Sequence, residues 1–162
     1  MKTSFEPHKT MNTYFCSTQK SNCPENCNYQ FCSEKHFYGL KTVPSLSGIE
    51  RIVCSSLLKP CSESTLRSGD LIILYVETRQ ELDSIVTKRE LLESFQLVLI
   101  MDQDLYQNNR SCHLLAPRFI TTIEQNTNNL IEVVQRLTDK RSRKNLVRKN
   151  YETGQLSAEG TK

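Results

Sequence analysis

Three apolar runs in the second half of the chain, separated by segments with helical spacing, form the clearest pattern in the sequence. The runs cover residues 71–76, 97–101 and 119–123. Because the first two do not alternate apolar and polar residues, they predict strands that are buried on both faces of a sheet. Strands that alternate with helices specify a parallel sheet with helices on its faces. The sequence therefore predicts an α/β fold, a small three-layer domain with a mainly parallel sheet of about three strands.

A capping signal predicts a helix before the first run. Ser47 and Glu50 have the Ser-x-x-Glu spacing, in which the hydroxyl and the carboxylate bind main-chain N–H groups at the start of a helix. Pro60 should end this helix, because proline lacks the N–H group that a helix interior needs. The apolar residues that recur at helical spacing in this segment are Ile49, Ile52, Val53 and Leu57.

The segments after the first and third runs also begin with helix signals. Thr78 and Glu81 form a second capping box, which predicts a helix between the first and second strands. Asn126 or Thr127 is expected to cap the last helix. The residues of that helix that should face the sheet are Leu130, Ile131, Val134 and Leu137.

Composition divides the chain into three parts. A chain of 162 residues suffices for one domain with an appendage, and its hydrophobic fraction of 37% predicts that part of it is loosely packed. Residues 1–46 are rich in cysteine and turn-forming residues and show no apolar period, so we expect an irregular arm there. Residues 47–139 hold the predicted α/β domain, and residues 140–162 are expected to be a basic, disordered tail.

Four cysteines lie close together in the arm, at the spacing C-x6-C-x3-C-x4-C. Thiolates at this density could hold zinc tetrahedrally or an iron–sulfur cluster, and such a metal would supply folding energy that the few apolar residues of the arm cannot. Disulfides and unliganded thiols are the alternatives, because the spacing contains no C-x2-C pair and matches no ferredoxin pattern. The candidate ligands are Cys16, Cys23, Cys27 and Cys32.

No membrane-spanning signal is present in the sequence. The longest apolar run, residues 71–76, is far shorter than the roughly 20 residues that a transmembrane helix needs. Residues 1–7 contain no apolar signal core. We therefore expect a cytoplasmic location without membrane contact, where cysteines are mostly kept reduced.

The order of the predicted elements resembles the C-terminal half of a bacterial response-regulator receiver domain, over residues 70–138. Three segments match that family's central strand, its fourth strand and its last strand with the following helix, and they cover residues 70–76, 96–101 and 119–137. The resemblance implies half of a flavodoxin-like domain. It implies a truncated relative, because the arm offers no clear counterpart of the family's first two strands and their acidic pair.

The residues with which receivers accept and read a phosphoryl group are missing. Tyr75 stands at the position of the accepting aspartate, and a phenol cannot replace a carboxylate as the nucleophile that forms an acyl phosphate. Met101 or Asp102 replaces the hydroxyl residue that ends the fourth strand. The family's lysine has no counterpart, since no lysine occurs between Lys88 and Lys140. The resemblance therefore implies a pseudo-receiver that is not phosphorylated, and fold analogy supports a docking role.

Three carboxylates follow the predicted strands. Glu77 follows the first strand, and Asp102 and Asp104 follow the second. If these strands are parallel neighbours, the carboxylates converge at the carboxyl edge of the sheet, where open α/β sheets bind ligands. Carboxylate oxygens suit Mg²⁺, so this acidic cluster is a candidate metal site. The alternative is that the three acids are solvated loop residues.

The basic tail is a candidate for contact with nucleic acid. Its cations would attract phosphates and release counterions, although only Tyr151 is nearby to stack on a base. The alternative is a solvated end of the last helix, whose cations complement the helix dipole. The basic residues are Lys140, Arg141, Arg143, Lys144, Arg148 and Lys149.

Taken together, these patterns predict a signalling or regulatory interaction module that is not an enzyme. A sheet of few strands leaves edges and faces uncovered, so we expect a protein partner or a second copy of the chain to bind there. The alternative functions are metal or redox sensing through the cysteine cluster, with zinc or an iron–sulfur cluster as cofactor, and nucleic-acid contact through the tail.

Overall fold

The computed structural model describes residues 11–17, 32–58 and 65–139, and a single five-stranded sheet runs through all three ranges. The strands are β1 (Thr13–Ser17), β2 (Glu50–Val53), β3 (Leu71–Val76), β4 (Gln96–Met101) and β5 (Phe119–Thr122). Their order in the sheet is β2-β1-β3-β4-β5, and every pair of neighbours is parallel. The predicted α/β class with a parallel sheet is confirmed. The sheet has five strands where about three were expected.

Helices cover both faces of the sheet. Within the described ranges they are α1 (Ser33–Lys41), α2 (Cys54–Leu57), α3 (Arg79–Thr87), α4 (Gln103–Asn108) and α5 (residues 127–139), with 3-10 helices at Pro44–Leu46, Arg89–Leu92 and Arg110–Leu115. None of the helices in this part of the chain is long and apolar enough to cross a membrane.

Alternate residues of the buried strands point into two separate cores. Ile73 of β3 packs with Leu40 of α1 and Leu130 of α5, so we name this side of the sheet the α1 face. Leu74, the next residue, packs with Leu82 of α3 on the opposite side, the α3 face. Burial on both faces explains why the strands read as unbroken apolar runs.

β1 lies in the segment that sequence analysis assigned to an irregular arm. All five of its residues are buried, and it pairs with β2 on one side and β3 on the other. Its polar residues Thr13 and Ser17 interrupt the apolar pattern, so no run was visible in the sequence. The expected truncation of the sheet is therefore wrong, since two strands precede β3. The resulting order, 2-1-3-4-5, is that of flavodoxin-like folds.

The helix predicted from Ser47 onward is wrong in its first half, because residues 50–53 form β2. The capping box does not form, and Ser47 Oγ instead donates to the carbonyl oxygen of Pro44 at 3.0 Å. Parallel pairing with β1 gives this segment main-chain hydrogen bonds on one side, and the β-branched Ile52 and Val53 favour an extended strand. Only the segment after Val53 is helical, as α2.

The later helices begin where the sequence predicted. Thr78 Oγ1 accepts a hydrogen bond from Glu81 N at 3.3 Å, and Glu81 Oε2 accepts one from Thr78 N at 3.2 Å, which completes the capping box of α3. Asn126 Oδ1 accepts from Asn128 N at 3.0 Å at the start of α5. These side chains replace main-chain partners that the first turn of a helix lacks.

Candidate functional site

The carboxyl edge of the sheet is the candidate functional site. In open parallel sheets, ligands bind beyond the carboxyl ends of the strands, at the point where neighbouring crossovers leave on opposite faces. Here that point lies between β1, whose chain continues to α1, and β3, whose chain continues to α3. Residues 18–31, which follow β1, lie outside the described residues.

Tyr75 is buried near the carboxyl end of β3 with 2% of its surface exposed. The centroid of its ring lies 6.2 Å from that of Phe15 in β1 and 5.6 Å from that of His36 in α1. This aromatic side chain belongs to the core of the α1 face. The position that the receiver resemblance equates with the accepting aspartate is thus filled by a packed ring.

His36 joins α1 to this aromatic cluster. Its Nδ1 lies 3.2 Å from the carbonyl oxygen of Cys32, within hydrogen-bonding distance. Burial lowers the pKa of His36 below its ordinary value, because an uncharged imidazole is favoured away from water. Lys35 lowers the pKa further, while the carbonyl groups of Cys32 and Ile123 and the carboxylate of Glu124 oppose the shift. The net effect favours the neutral ring at neutral pH.

The acidic residues after β3 and β4 are close enough to influence one another. Partial burial raises the pKa of Glu77, and the carboxylates of Glu81 and Asp102 raise it further. Asp102 Oδ1 accepts hydrogen bonds from the main-chain N–H groups of Asp104, at 3.0 Å, and Leu105, at 3.2 Å. Asp102 therefore serves as the N-cap of α4.

The structure does not assemble the predicted acidic metal site. β3 and β4 are parallel neighbours as that prediction required. However, Asp102 caps α4, and Glu81 beside it accepts from the N–H groups of Glu77 and Thr78. Among the described residues, no three His, Cys, Asp or Glu side chains are grouped so that they could hold a metal ion. The Mg²⁺ interpretation of Glu77, Asp102 and Asp104 therefore receives no support from the described residues, and main-chain capping accounts for the carboxylate of Asp102.

The predicted cysteine ligands are only partly visible. Cys23 and Cys27 lie outside the described residues, and Cys32 is half-buried at the N-cap of α1. Cys16 points into the α3 face, where its Sγ lies 2.8 Å from Sγ of Cys54. The hydrogen bond with Cys54 and burial both raise the pKa of the Cys16 thiol. Zinc or iron–sulfur binding by the four cysteines stays a prediction, as does nucleic-acid contact by residues 140–149, which also lie outside the described residues.

A partly buried ion pair that no local sequence pattern predicts lies between α1 and β2. Arg51 Nη2 donates to Oε2 of Glu34 at 2.7 Å, and Nη1 donates to Oε1, so the pair is bidentate. The guanidinium group also lies 4.3 Å from the centre of the Phe37 ring. The pair joins α1 to β2 across 17 residues of sequence, a separation at which no local pattern operates. It is a structural contact, because both oxygens of Glu34 are occupied by Arg51.

Fold and site together define an α/β protein with the flavodoxin-like strand order. At the carboxyl edge of its sheet, Tyr75 packs among aromatic side chains and Asp102 caps a helix. A scan against protein-family models, a search of curated proteins and a search of solved structures each found no match. The resemblance to receiver domains therefore stays a prediction based on the order of the elements and on the residues at the strand ends.

Proposed function

We propose that this chain is a non-catalytic signalling or regulatory interaction module of the pseudo-receiver type, acting in the cytoplasm. The observation that carries the proposal is the burial of Tyr75 among Phe15 and His36 at the end of β3. In a receiver this position must present a carboxylate to a phosphodonor and a magnesium ion. A phenol ring packed into the core can do neither.

The neighbouring strand ends support the same proposal. Met101, the last residue of β4, has none of its surface exposed, so no hydroxyl group is presented there. Asp102 is engaged as a helix cap. β5 ends at Thr122, and no lysine lies between residues 88 and 140 to contact a phosphoryl group. Each position that reads phosphorylation in a receiver thus has a structural role or lacks the required group.

The direct test is exposure of the full chain to acetyl phosphate in the presence of Mg²⁺, followed by intact mass spectrometry. We expect no increase by the mass of a phosphoryl group. A receiver domain that autophosphorylates with the same donor, treated in parallel, checks that the donor is active. Stoichiometric phosphorylation of a carboxylate at the carboxyl edge would refute the proposal.

The β5 side of the sheet is the surface that best fits a docking role. The opposite edge strand, β2, carries Glu50 and Arg51, and charged residues discourage the pairing of sheet edges. β5 contains no charged residue, and no strand covers its outer edge within the described ranges. Leu114, shortly before β5, has 60% of its surface exposed. An edge strand without charged residues and an exposed leucine shortly before it in the chain support binding of a protein partner, of which a second copy of the chain is the simplest.

Sedimentation equilibrium at increasing protein concentration tests this surface. We expect the wild-type chain to self-associate and Leu114→Asp to weaken association at least tenfold, because a charge must then be buried in the contact. Gln107→Glu is the matched control, since it adds the same charge at an exposed position of nearby α4. Equal association of all three proteins would exclude the β5 side, and a monomeric wild type would exclude a second copy as the partner.

A further inference from the structure

Two cysteines from separate elements meet in the core of the α3 face. Cys16 lies in β1 and Cys54 is the first residue of α2, and their Sγ atoms are 2.8 Å apart. Both thiols are free, and the two residues are 0% and 6% exposed. They are 38 residues apart in sequence. The parallel register, which pairs Ser17 with Val53, brings them together.

We propose that Cys16 and Cys54 form a reversible redox pair, which is oxidised to an intramolecular disulfide by exchange with a low-molecular-weight disulfide such as oxidised glutathione. A disulfide has an S–S distance of about 2.05 Å, so the two sulfur atoms must approach by less than about 1 Å to form it. Ile72 and Leu74, which belong to the same core, are aliphatic and offer no nucleophile. The pair is therefore set apart from Cys112, which is buried on the same face without a thiol partner among the described residues.

The exchange requires two consecutive displacements. The Cys54 thiolate attacks one sulfur of the small disulfide, which forms a mixed disulfide and releases one thiolate of the reagent. The Cys16 thiolate then attacks the Cys54 sulfur and releases the second thiolate. The protons of the two protein thiols pass to the two released thiolates. One small disulfide is thereby reduced to two thiols while the protein dithiol is oxidised to one disulfide.

Cys54 is the point of entry for the reagent. It is the more accessible of the two, and it begins a helix of a single turn whose N-cap, Val53, provides no side-chain hydrogen bond. A short helix without a cap opens at little cost in free energy, whereas Cys16 is held in a strand with partners on both sides. After oxidation, β1 is covalently joined to the segment that follows β2, so the edge strand cannot separate from the sheet.

The test uses a full-length variant in which Cys23, Cys27, Cys32 and Cys61 are replaced by serine, so that three of the seven cysteines remain. After treatment with oxidised glutathione, denaturation and alkylation, we expect the number of alkylated thiols to fall from three to one. Trypsin should release residues 10–20 linked to residues 52–67, and dithiothreitol should separate the two peptides. Oxidation should also raise the thermal unfolding midpoint.

Two further substitutions in that variant provide the controls. Cys54→Ala should leave both remaining thiols open to alkylation and abolish the shift in the unfolding midpoint. Cys112→Ala should leave the cross-link unchanged. Alkylation of all three thiols after oxidation, glutathione adducts without a cross-link, or a cross-link to Cys112 would each overturn the proposal.

If the four-serine variant does not fold, as judged by circular dichroism, the wild-type chain takes its place. Trypsin alone leaves Cys54 and Cys61 in one peptide, because Pro60 blocks cleavage after Lys59. Chymotrypsin, which cuts after Leu57 and Leu58, separates the two cysteines. Recovery of the peptides of Cys16 and Cys54 as a reducible pair supports the proposal, and their absence from the oxidised digest overturns it.

Discussion

Two buried carboxylates of this protein, Asp70 and Glu34, each have a hydrogen-bond partner that is distant in sequence. Asp70 accepts hydrogen bonds from the main-chain N–H groups of Asn12, at 3.1 Å, and Arg67, at 2.8 Å, and so joins the start of β3 to the residue before β1. Glu34 accepts hydrogen bonds from the guanidinium group of Arg51, which lies 17 residues further along the chain. Sequence analysis identified neither role, because the pattern around a residue does not specify a partner 58 positions away. The positions of Glu77 and Asp102 directly after β3 and β4 were predicted, because the apolar runs mark where these strands end.

The buried imidazole of His36 gives the protein a specific pH dependence. Its pKa is lowered from the ordinary value of 6.5, so as the pH falls below 6.5 the unfolded chain takes up a proton before the folded chain does. The contribution of the neutral His36 ring to the unfolding free energy is therefore complete above pH 6.5, and it is lost as the pH falls toward the lowered pKa. We expect His36→Asn to show a smaller loss of unfolding free energy than the wild type between pH 7 and about pH 5, measured by urea denaturation.

His113→Asn is the control for this measurement, because His113 is exposed in the 3-10 helix before β5. It should keep the pH dependence of the wild type, including the part that carboxylates contribute. The interpretation of His36 is wrong if both variants follow the wild-type curve.

At the scale of single elements, capping boxes predicted a helix correctly only where the residues that follow them do not pair as a strand of the sheet. The capping box at Thr78 and Glu81 predicted α3, and the structure contains it in full. The same spacing at Ser47 and Glu50 predicted a helix where β2 lies. The difference lies in the tertiary structure, because all four residues of β2 are in register with β1 in the sheet. A capping signal is therefore reliable only when the following residues are not drawn into a sheet.

The capping box of α3 predicts a measurable contribution to stability. Thr78→Ala removes the hydroxyl that accepts from Glu81 N, and we expect the unfolding free energy to fall by about 1 kcal/mol. Thr87→Ala is the matched control at the other end of α3, where the exposed hydroxyl donates to the carbonyl oxygen of Asp83. Its effect should stay within about 0.5 kcal/mol. Urea denaturation of both variants measures the difference, and equal effects would contradict the role assigned to the cap.

At the scale of the whole molecule, β1 of the N-terminal segment contributes side chains to the cores on both faces of the sheet. Phe15 of β1 has none of its surface exposed and contacts Phe37 and Tyr75 across the α1 face. Composition could not show this, because the five-residue strand stands among polar and turn-forming residues. The fold class was predictable from three strands, whereas the full width of the sheet depended on β1 and β2, whose patterns are short and interrupted.

This central role of β1 can be tested with one substitution. Phe15→Ala should lower the unfolding free energy by about 3–5 kcal/mol, the usual cost of truncating a buried phenylalanine. Tyr106→Ala, at an aromatic residue with 40% of its surface exposed, should cost about 0.5 kcal/mol or less. Guanidinium denaturation measures both values. A cost for Phe15→Ala as small as that for Tyr106→Ala would mean that the N-terminal strand is dispensable.

The order of the strands also constrains how a nascent chain can fold. Both neighbours of β1 are synthesised after it, and β3 is complete only when translation has passed residue 76. Until then a β1–α1–β2 unit has an open inner edge and lacks Ile73, Tyr75 and the later side chains of the core to which Phe15 belongs. Productive folding therefore has to wait for a distant segment, and the incomplete sheet exposes apolar surface to other polypeptides during synthesis.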